Sequence, residues 1–414
     1  MGRPSTAAPF LLAKEPVKRI DTTALTDTHG GQPWSLSTQW NWVRKAAWTV
    51  VILAGVLFRA NIVHRLPREV ELCAADFSAF YSGGSLVGSP QLYSPAAAFA
   101  VQEKAIGCHH ENLVFIKPPF YALLLWPFAQ LPFVPAFYLF RTLVLAGVGL
   151  FLWWWPGNRW TAAAACAWSV PLAATFTAGQ DVIFVLAMVM GAYRALRSGR
   201  EFTAGVLLGM CAIKFHLFLL LPVLLLRRRL WRTVAGGTAV GAVWFAMCFL
   251  AAGPNWISLY RTALADPRLD PYAYNMVNLR GLLDYNSPWI WPASAVVAPL
   301  CGYLIWRGSL EVALSAVLAG GVLLTPHTTV CDATLFLPGL LLARRMRWPA
   351  ARAVAAFALT PLYVFLPRGG LQAAVIVLIV SAVCIDIIGV PGERAGCSDP
   401  PETAQPRAVE GQTC

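Results

Sequence analysis

The sequence predicts an all-helical integral membrane protein with about twelve transmembrane helices, and three observations lead to this fold class. Hydrophobic residues make up 57% of the 414 residues and charged residues only 13%, whereas a soluble domain carries roughly 25% charged residues. The 17 Trp, 30 Pro and 32 Gly residues are typical of membrane proteins, because bilayer helices tolerate Gly and Pro and bilayer interfaces attract Trp. Too few charges remain to cover a water-facing surface, which excludes a soluble protein.

The formal charge of +12 comes largely from short Arg-rich segments between apolar runs. They lie at 194–200, 227–232 and 344–347, and such spacing is typical of cytoplasmic loops that follow the positive-inside rule. A basic face interleaved with aromatic residues is not found in the sequence, so the charge predicts no nucleic-acid partner.

Polar segments flank the apolar part of the chain. Residues 1–44 lack the apolar core and cleavage site of a signal peptide, so we expect a cytoplasmic segment followed by a retained first span. Residues 390–414 are polar and Pro-rich, which predicts a disordered cytoplasmic tail. The membrane-embedded domain is therefore expected over residues 45–389.

Apolar runs within that domain set the predicted topology. The twelve candidate spans are 45–63, 134–155, 160–177, 181–194, 202–214, 216–227, 231–252, 289–306, 309–325, 330–343, 349–366 and 370–389. The further apolar stretch 115–132 is interpreted as a helix along the interface, since counting it as a span would move two Arg-rich segments outside. With the amino terminus inside, the outer loops are 64–133, 178–180, the junction 214–216, 253–288, 326–329 and 367–369.

The ten Cys residues form neither a CxxC pair nor a His/Cys cluster with metal spacing, so no metal site is predicted. Most lie inside apolar runs, where a thiol behaves as a small hydrophobic group. Cys73 and Cys108 fall instead in the first outer loop. A disulfide between them is allowed if that compartment is oxidising.

Two ionisable residues of the first outer loop are candidates for chemistry. Asp76 could act as a general base on a hydroxyl at the membrane surface, although a helix N-cap is the simpler interpretation. Lys117 precedes a rigid Pro-Pro turn, where it could bind a phosphate headgroup or merely extend its ammonium group to the interface.

Further polar residues lie at later outer turns. Gln180 and Asp181 open an apolar helix, so either could cap it or bind a sugar hydroxyl. Lys214 and His216 lie at membrane depth, where an ionisable group costs roughly 2.5–3.5 kcal/mol and predicts function; neutralising a phosphate is the expected task. His327 follows Pro326 and could orient a carboxylate or donate to a phosphate oxygen.

The remaining candidates belong to two outer segments. Asp332, one turn into its helix, could pair locally or cap. The loop 253–288 carries aromatic, amide and charged residues that fit an acceptor site for a hydroxyl-rich substrate and equally fit an ordinary solvated loop: Tyr260, Arg261, Asp270, Tyr272, Tyr274, Asn275, Asn278, Arg280 and Asp284.

Taken in order, these residues resemble glycosyltransferase family 87, membrane enzymes of the GT-C type that use polyprenyl-phosphate sugars. The resemblance covers about residues 70–345. Its pieces are Ala75-Asp76-Phe77-Ser78-Ala79-Phe80-Tyr81, Gln91-Leu92-Tyr93, Lys117-Pro118-Pro119-Phe120, Gly179-Gln180, Gly205-Val206-Leu207-Leu208-Gly209, the Arg227–Arg229 cluster, Asn278-Leu279-Arg280-Gly281, and Leu324-Thr325-Pro326-His327 before Asp332. One departure is Lys214-Phe215-His216, where many relatives have Lys-Pro.

The resemblance implies a GT-C bundle with interfacial helices in the first outer loop and a catalytic aspartate there. An acceptor hydroxyl needs a base, for which Asp76 is the candidate, with His327 as its partner. The phosphate of the lipid donor is expected at Lys117, Lys214, His216 and Arg280, and the sugar or acceptor at Tyr81, Gln180, Tyr274 and Asn278.

The implied reaction is inverting transfer of a sugar, usually mannose, from the polyprenyl phosphate to a glycolipid or glycan. No cofactor is implied. The expected location is the plasma (inner) membrane, in contact with its lipids, with the site on the non-cytoplasmic face. Alternatives are arabinofuranosyl transfer by the same fold, a lipid or glycan flippase, which would favour repeated halves that the sequence does not show, and an inactive scaffold subunit.

Overall fold

The computed structural model describes residues 36–64, 72–73, 75–265, 276–360 and 369–388. The predicted polar tail at 390–414 and most of the predicted segment 1–44 lie outside these residues. By contacts the chain divides into two units, Met1–Ala46 and Ala47–Cys414. Of the first unit, only the start of the first helix belongs to the described part, and all later elements belong to the second unit.

Every regular element within the described residues is helical, as predicted. The α-helices are α1 (Leu36–His64), α2 (Phe77–Ser85), α3 (Pro95–Ile106), α4 (Pro119–Ala129), α5 (Phe133–Trp154), α6 (Arg159–Trp168), α7 (Val170–Ala178), α8 (Val182–Arg197), α9 (Glu201–Met210), α10 (Leu221–Arg227), α11 (Trp231–Ala252), α12 (Trp256–Leu264), α13 (Leu279–Leu283), α14 (Ile290–Arg307), α15 (Leu310–Leu324), α16 (Leu337–Ala343), α17 (Pro349–Ala358) and α18 (Gly369–Ile388). Two 3₁₀ segments, Cys211–Phe218 and Val330–Phe336, precede α10 and α16.

Three of the described helical stretches are long and apolar enough to cross a membrane: Phe133–Trp154, Glu201–Phe218 and Trp231–Ala252. The pair α6 and α7 makes a fourth if it counts as one span, bent by 64°. Ser169 caps α7 and Pro171 follows within its first turn, which explains the bend inside the predicted span 160–177. A membrane protein is supported, whereas the number of twelve spans is not confirmed.

The apolar stretch 115–132 contains the short helix α4. Its 11 residues extend only about 16 Å, roughly half of a hydrocarbon core, so α4 alone cannot cross a bilayer. Phe120, Tyr121 and Leu125 are buried, and the helix packs on α2 and α11. One side of this stretch therefore belongs to the protein core.

Backbones approach each other closely where α9 meets α11. A Cβ atom on Gly205 would collide with the carbonyl oxygen of Thr233, and one on Gly236 would collide with that of Phe202. Small residues at helix interfaces are typical of membrane bundles, where van der Waals packing drives association. Close helix packing thus explains the glycine at position 205, which opens the segment 205–209.

The first outer loop of the prediction holds α2, α3 and a disulfide. Cys73 and Cys108 are bonded, with their Cα atoms 5.9 Å apart. The bond ties the end of α3 to a point three residues before Asp76. Phe77 is fully buried and packs on Phe137 and Phe140, with ring centroids 5.6 and 5.1 Å away. The chain around Asp76 is therefore anchored on both sides.

Arg-rich segments and the ionisable site residues lie at opposite ends of the same elements. Helix α8 begins after Asp181 and ends at Arg197, about 24 Å away. The segment 330–343 likewise starts at a turn containing Asp332 and ends just before Arg344. Each of the two 3₁₀ segments packs on α8, and the ion pairs of Lys214 with Asp181 and Asp332 join their site ends.

Candidate active site

Asp76 directly precedes α2, at the position of an N-cap. Instead of capping that helix, its Oδ2 atom accepts a hydrogen bond of 2.8 Å from Nε2 of Gln180. The simpler interpretation of Asp76 as a cap is therefore wrong. The carboxylate is half-buried, and burial raises its pKa above the ordinary value, while the hydrogen bond from Gln180 and the charge of Lys214 act in the opposite direction.

The turn that presents Gln180 is fixed by backbone geometry. Gly179 ends α7 with a φ of 67°, a left-handed conformation that favours glycine. The next backbone amide, of Gln180, donates to the carbonyl oxygen of Thr175 at 2.8 Å. Gln180 and Asp181 are consequently aimed in a defined direction, away from α7 and toward the site.

Arg141, a residue that the sequence did not single out, supports the same turn from within α5. Its guanidinium group is buried and donates to the carbonyl oxygens of Phe176 and Thr177 at 3.1 and 2.6 Å. These are carbonyl groups of the last turn of α7, which have no partner within the helix itself. Arg141 thus holds the end of α7 just before Gly179.

We expect Arg141→Met to destabilise the protein by about 2–4 kcal/mol, because two hydrogen bonds from a buried charged group are lost. The measurement is thermal unfolding of the purified protein in detergent. Arg159→Met is the matched control, since that guanidinium lies at an exposed position and donates to the carbonyl of Trp153. Equal melting temperatures for Arg141→Met and wild type would contradict a supporting role.

Four charged residues form an alternating ion-pair chain beside Gln180. Nζ of Lys117 lies 2.9 Å from Oδ2 of Asp181, and Nζ of Lys214 lies 3.5 Å from the other oxygen of Asp181. Lys214 also donates to Oδ1 of Asp332 at 2.7 Å. These charges come from the loop before α4, the start of α8 and the two 3₁₀ segments, so the chain of ion pairs joins four parts of the fold.

Backbone geometry at Lys214 and Asp332 explains how they meet. Lys214 breaks its 3₁₀ segment with φ −134° and ψ 50°, which allows a buried side chain to leave the helical path. Asp332 forms a capping box with Thr329, whose backbone amide donates to Oδ2 of Asp332 at 2.9 Å. The interpretation of Asp332 as a cap is therefore confirmed, whereas its ion-pair partner Lys214 lies 118 positions away and is not a local one.

These ion pairs change the interpretation of the buried charge of Lys214. The sequence offered a buried cation without a counter-charge, and the structure supplies two carboxylates for it, those of Asp181 and Asp332. Burial of Lys214 is accounted for by its partners, so a phosphate contact is not needed to explain it. The assignment of Lys214 to phosphate stays a prediction, with less support than the sequence suggested.

His216 and His327 lie beside this chain of ion pairs. His216 is half-buried and within electrostatic range of Asp332, Lys214 and His327. His327, also half-buried, follows α15 at the turn that leads to Asp332. His216 is thus near Lys214, with which the sequence grouped it, whereas the pairing of His327 with Asp76 stays a prediction.

Other predicted site residues have structural partners. Both ends of the Asn278 amide are engaged, because its Nδ2 donates to the carbonyl of Thr325 at 2.9 Å and its Oδ1 accepts from the amide of Gly281 at 3.0 Å. Asn278 is fully buried. Its amide therefore caps α13 and ties it to the end of α15, while a contact of Asn278 with substrate stays a prediction.

Tyr81 and Arg280 also make contacts of their own. The Tyr81 hydroxyl donates to the carbonyl of Leu131 at 2.9 Å, and the Arg280 guanidinium stacks 4.6 Å from the ring centroid of Tyr285. Tyr274 lies outside the described residues. Tyr121, which the sequence missed, lies beside the site, with its ring centroid 5.6 Å from Nζ of Lys117.

Within the described residues, no three His, Cys, Asp or Glu side chains come together as a metal site would require. The candidate active site accordingly consists of a half-buried carboxylate, an amide and an array of paired charges. These residues lie together at one end of apolar helices, where a carboxylate beside paired charges is suited to taking a proton from a hydroxyl.

The family model of glycosyltransferase family 87 matches residues 115–332, slightly more than half of the 414 residues. The chain belongs to this family and is therefore a membrane glycosyltransferase. The matched region includes Lys117, Gln180, Lys214 and Asp332, whereas Asp76 precedes it. Neither the comparison with curated proteins nor that with solved structures gave a match.

Proposed function

We propose that this glycosyltransferase moves a mannose, with inversion, from a polyprenyl-phosphate donor to a hydroxyl of a glycolipid or glycan on the non-cytoplasmic face, with Asp76 as general base. One observation carries the proposal. Asp181 and Asp332 are fully buried and ion-paired with lysines, whereas Asp76 is half-buried and hydrogen-bonded to a neutral amide. Asp76 is thus the carboxylate of the three that can receive a proton.

In the proposed reaction the acceptor hydroxyl loses its proton to Asp76 as its oxygen bonds to the sugar carbon. On the opposite side, the bond from that carbon to the phosphate oxygen breaks and the lipid phosphate leaves with the bonding electrons. A base of raised pKa suits this step, since proton transfer is most effective when the pKa of the base lies near the working pH. His327 is the proposed partner that tunes the carboxylate.

The leaving phosphate is proposed to contact Lys117 and Lys214, with His216 and Arg280 nearby. An ammonium group carries three N–H donors. Lys214 donates one to Asp332 and contacts Asp181 only as an ion pair at 3.5 Å, and Lys117 uses two toward Asp181 and the carbonyl of Ile213. Each lysine therefore retains a donor for a phosphate oxygen without breaking its ion pair.

Radiolabelled transfer by the purified protein tests this function. The protein is incubated with polyprenyl-phosphate mannose and, separately, with the arabinofuranose equivalent, each with a membrane glycolipid extract as acceptor. Labelled product from the mannose donor supports the proposal, and product from the arabinose donor alone replaces mannose by arabinofuranose. Lack of product from both, with donor movement across a liposome bilayer, would favour the flippase.

Sidedness is tested by cysteine labelling in spheroplasts. The Cys73–Cys108 disulfide is kept, every other cysteine is replaced, and a single cysteine is introduced at exposed Asn112 or at exposed Arg197. We expect an impermeant thiol reagent to label position 112 from outside and position 197 only after lysis, because Arg-rich loops stay cytoplasmic. Labelling of 197 in intact cells would overturn the orientation.

A further inference from the structure

Gln180 carries a role that the sequence did not assign to it. We propose that Gln180 is the positioning residue of Asp76: its amide holds one carboxylate oxygen and leaves the other to take the proton. This inference rests on the proposed function, in which Asp76 is the base. The observation behind it is the 2.8 Å hydrogen bond from Nε2 of Gln180 to Oδ2 of Asp76, made between residues 104 positions apart.

The amide of Gln180 can hold the carboxylate because its own position is fixed. Its backbone amide donates a hydrogen bond to the carbonyl of Thr175. The following residue, Asp181, forms an ion pair with Lys117. Only the amide NH₂ can donate to a carboxylate, so this orientation of the side chain is the one that the pairing selects. The Asp76 carboxylate is correspondingly limited to one orientation.

The other end of the Gln180 amide is available to a ligand. Its Oε1 atom is buried and has no hydrogen-bond partner among the residues that the structure describes. A buried acceptor of this kind is satisfied by a donor that arrives with the substrate. A sugar hydroxyl is such a donor, so Gln180 joins the base and the substrate through a single side chain.

The positioning role predicts a particular pH dependence. Groups that act electrostatically on Asp76, or on which it acts, are Lys214, Asp181, Asp332 and Cys331. Burial raises the pKa of Asp76, and the hydrogen bond from Gln180 lowers it by stabilising the charged form. Activity needs the deprotonated carboxylate and is lost as pH falls through its pKa. Removing the hydrogen bond from Gln180 must therefore raise the pKa of Asp76, so that activity is lost at a higher pH.

The test is the pH profile of labelled sugar transfer from polyprenyl-phosphate mannose by Gln180→Met. We expect at least about a tenfold loss at neutral pH and an acid limb shifted upward by about one pH unit, since a hydrogen bond to a charged group is removed. The matched control is Gln102→Met: Gln102 is likewise buried and its Nε2 donates to the carbonyl of Leu113 at 2.7 Å. Its acid limb should stay at the wild-type position.

A second variant keeps the test independent of folding. Gln180→Glu retains the length of the side chain and places a second carboxyl beside Asp76, so its acid limb should move further up than that of Gln180→Met. A uniform loss with an unmoved acid limb in both variants, or an equal shift in Gln102→Met, would overturn the positioning role. Retained transfer by Asp76→Asn would instead overturn the proposed function itself, so the two failures are distinct.

Discussion

Asp76→Asn is expected to lower sugar transfer at least about a hundredfold while leaving the protein folded. Asparagine has the size of aspartate but cannot take the proton of the acceptor hydroxyl. Its side-chain oxygen can still accept the hydrogen bond that Gln180 now donates to Asp76. The measurement is the initial rate of labelled sugar transfer, together with the melting temperature of the purified variant.

The control for this variant is Glu111→Gln. Glu111 is an exposed carboxylate in the same predicted outer loop as Asp76, and the change likewise replaces a carboxylate by an amide. We expect wild-type transfer from it. If Asp76→Asn stays within a few-fold of wild type, another group takes the proton and the proposed mechanism is wrong.

The second large effect is expected for Lys214→Met. The single change leaves Asp332 without its 2.7 Å partner and removes one of the two lysines near Asp181. Removing one partner of a buried ion pair lowers the free energy of unfolding by about 3–5 kcal/mol, because the remaining charge stays buried and uncompensated. We therefore expect poor folding yield and a lower melting temperature, measured by size-exclusion chromatography after heating.

The double variant Lys214→Met/Asp332→Asn separates stability from catalysis. It removes both members of the pair, so we expect most of the lost stability to return. Transfer should stay impaired if Lys214 also contacts the lipid phosphate. Wild-type activity in the stable double variant would remove Lys214 from the donor site, and a single variant as stable as wild type would show that the ion pair contributes little.

The composition and the apolar runs predicted the fold class and the charged candidates for the site, because both can be determined from short stretches of sequence. They also grouped Asp76, Gln180, Lys214 and His327 on one face through the positive-inside rule. The structure places Gln180 against Asp76 and Lys214 within range of both Asp76 and His216. The side of the membrane predicted for each loop was thus sufficient to group residues that are far apart in the chain.

The ion pairs among the site residues could not be predicted from short stretches of sequence. The sequence offered a helix cap or a sugar hydroxyl for Asp181, yet its partners Lys117 and Lys214 lie in other elements. Charge balance was the unused signal: each buried lysine of an apolar bundle requires a carboxylate. The count of twelve spans is not confirmed for a related reason, since breaks at Ser169 and Lys214 divide apolar runs into shorter helices.

The pairing of Lys214 with Asp332 also bears on the order in which the protein is made. The two residues are 118 positions apart, so the ribosome delivers the lysine long before its carboxylate. Until then Lys214 has Asp181 as a weaker partner at 3.5 Å, and a charge held at membrane depth costs roughly 2.5–3.5 kcal/mol. We therefore expect chains truncated before Asp332 to be less stable in the membrane than the full chain, and to be degraded faster.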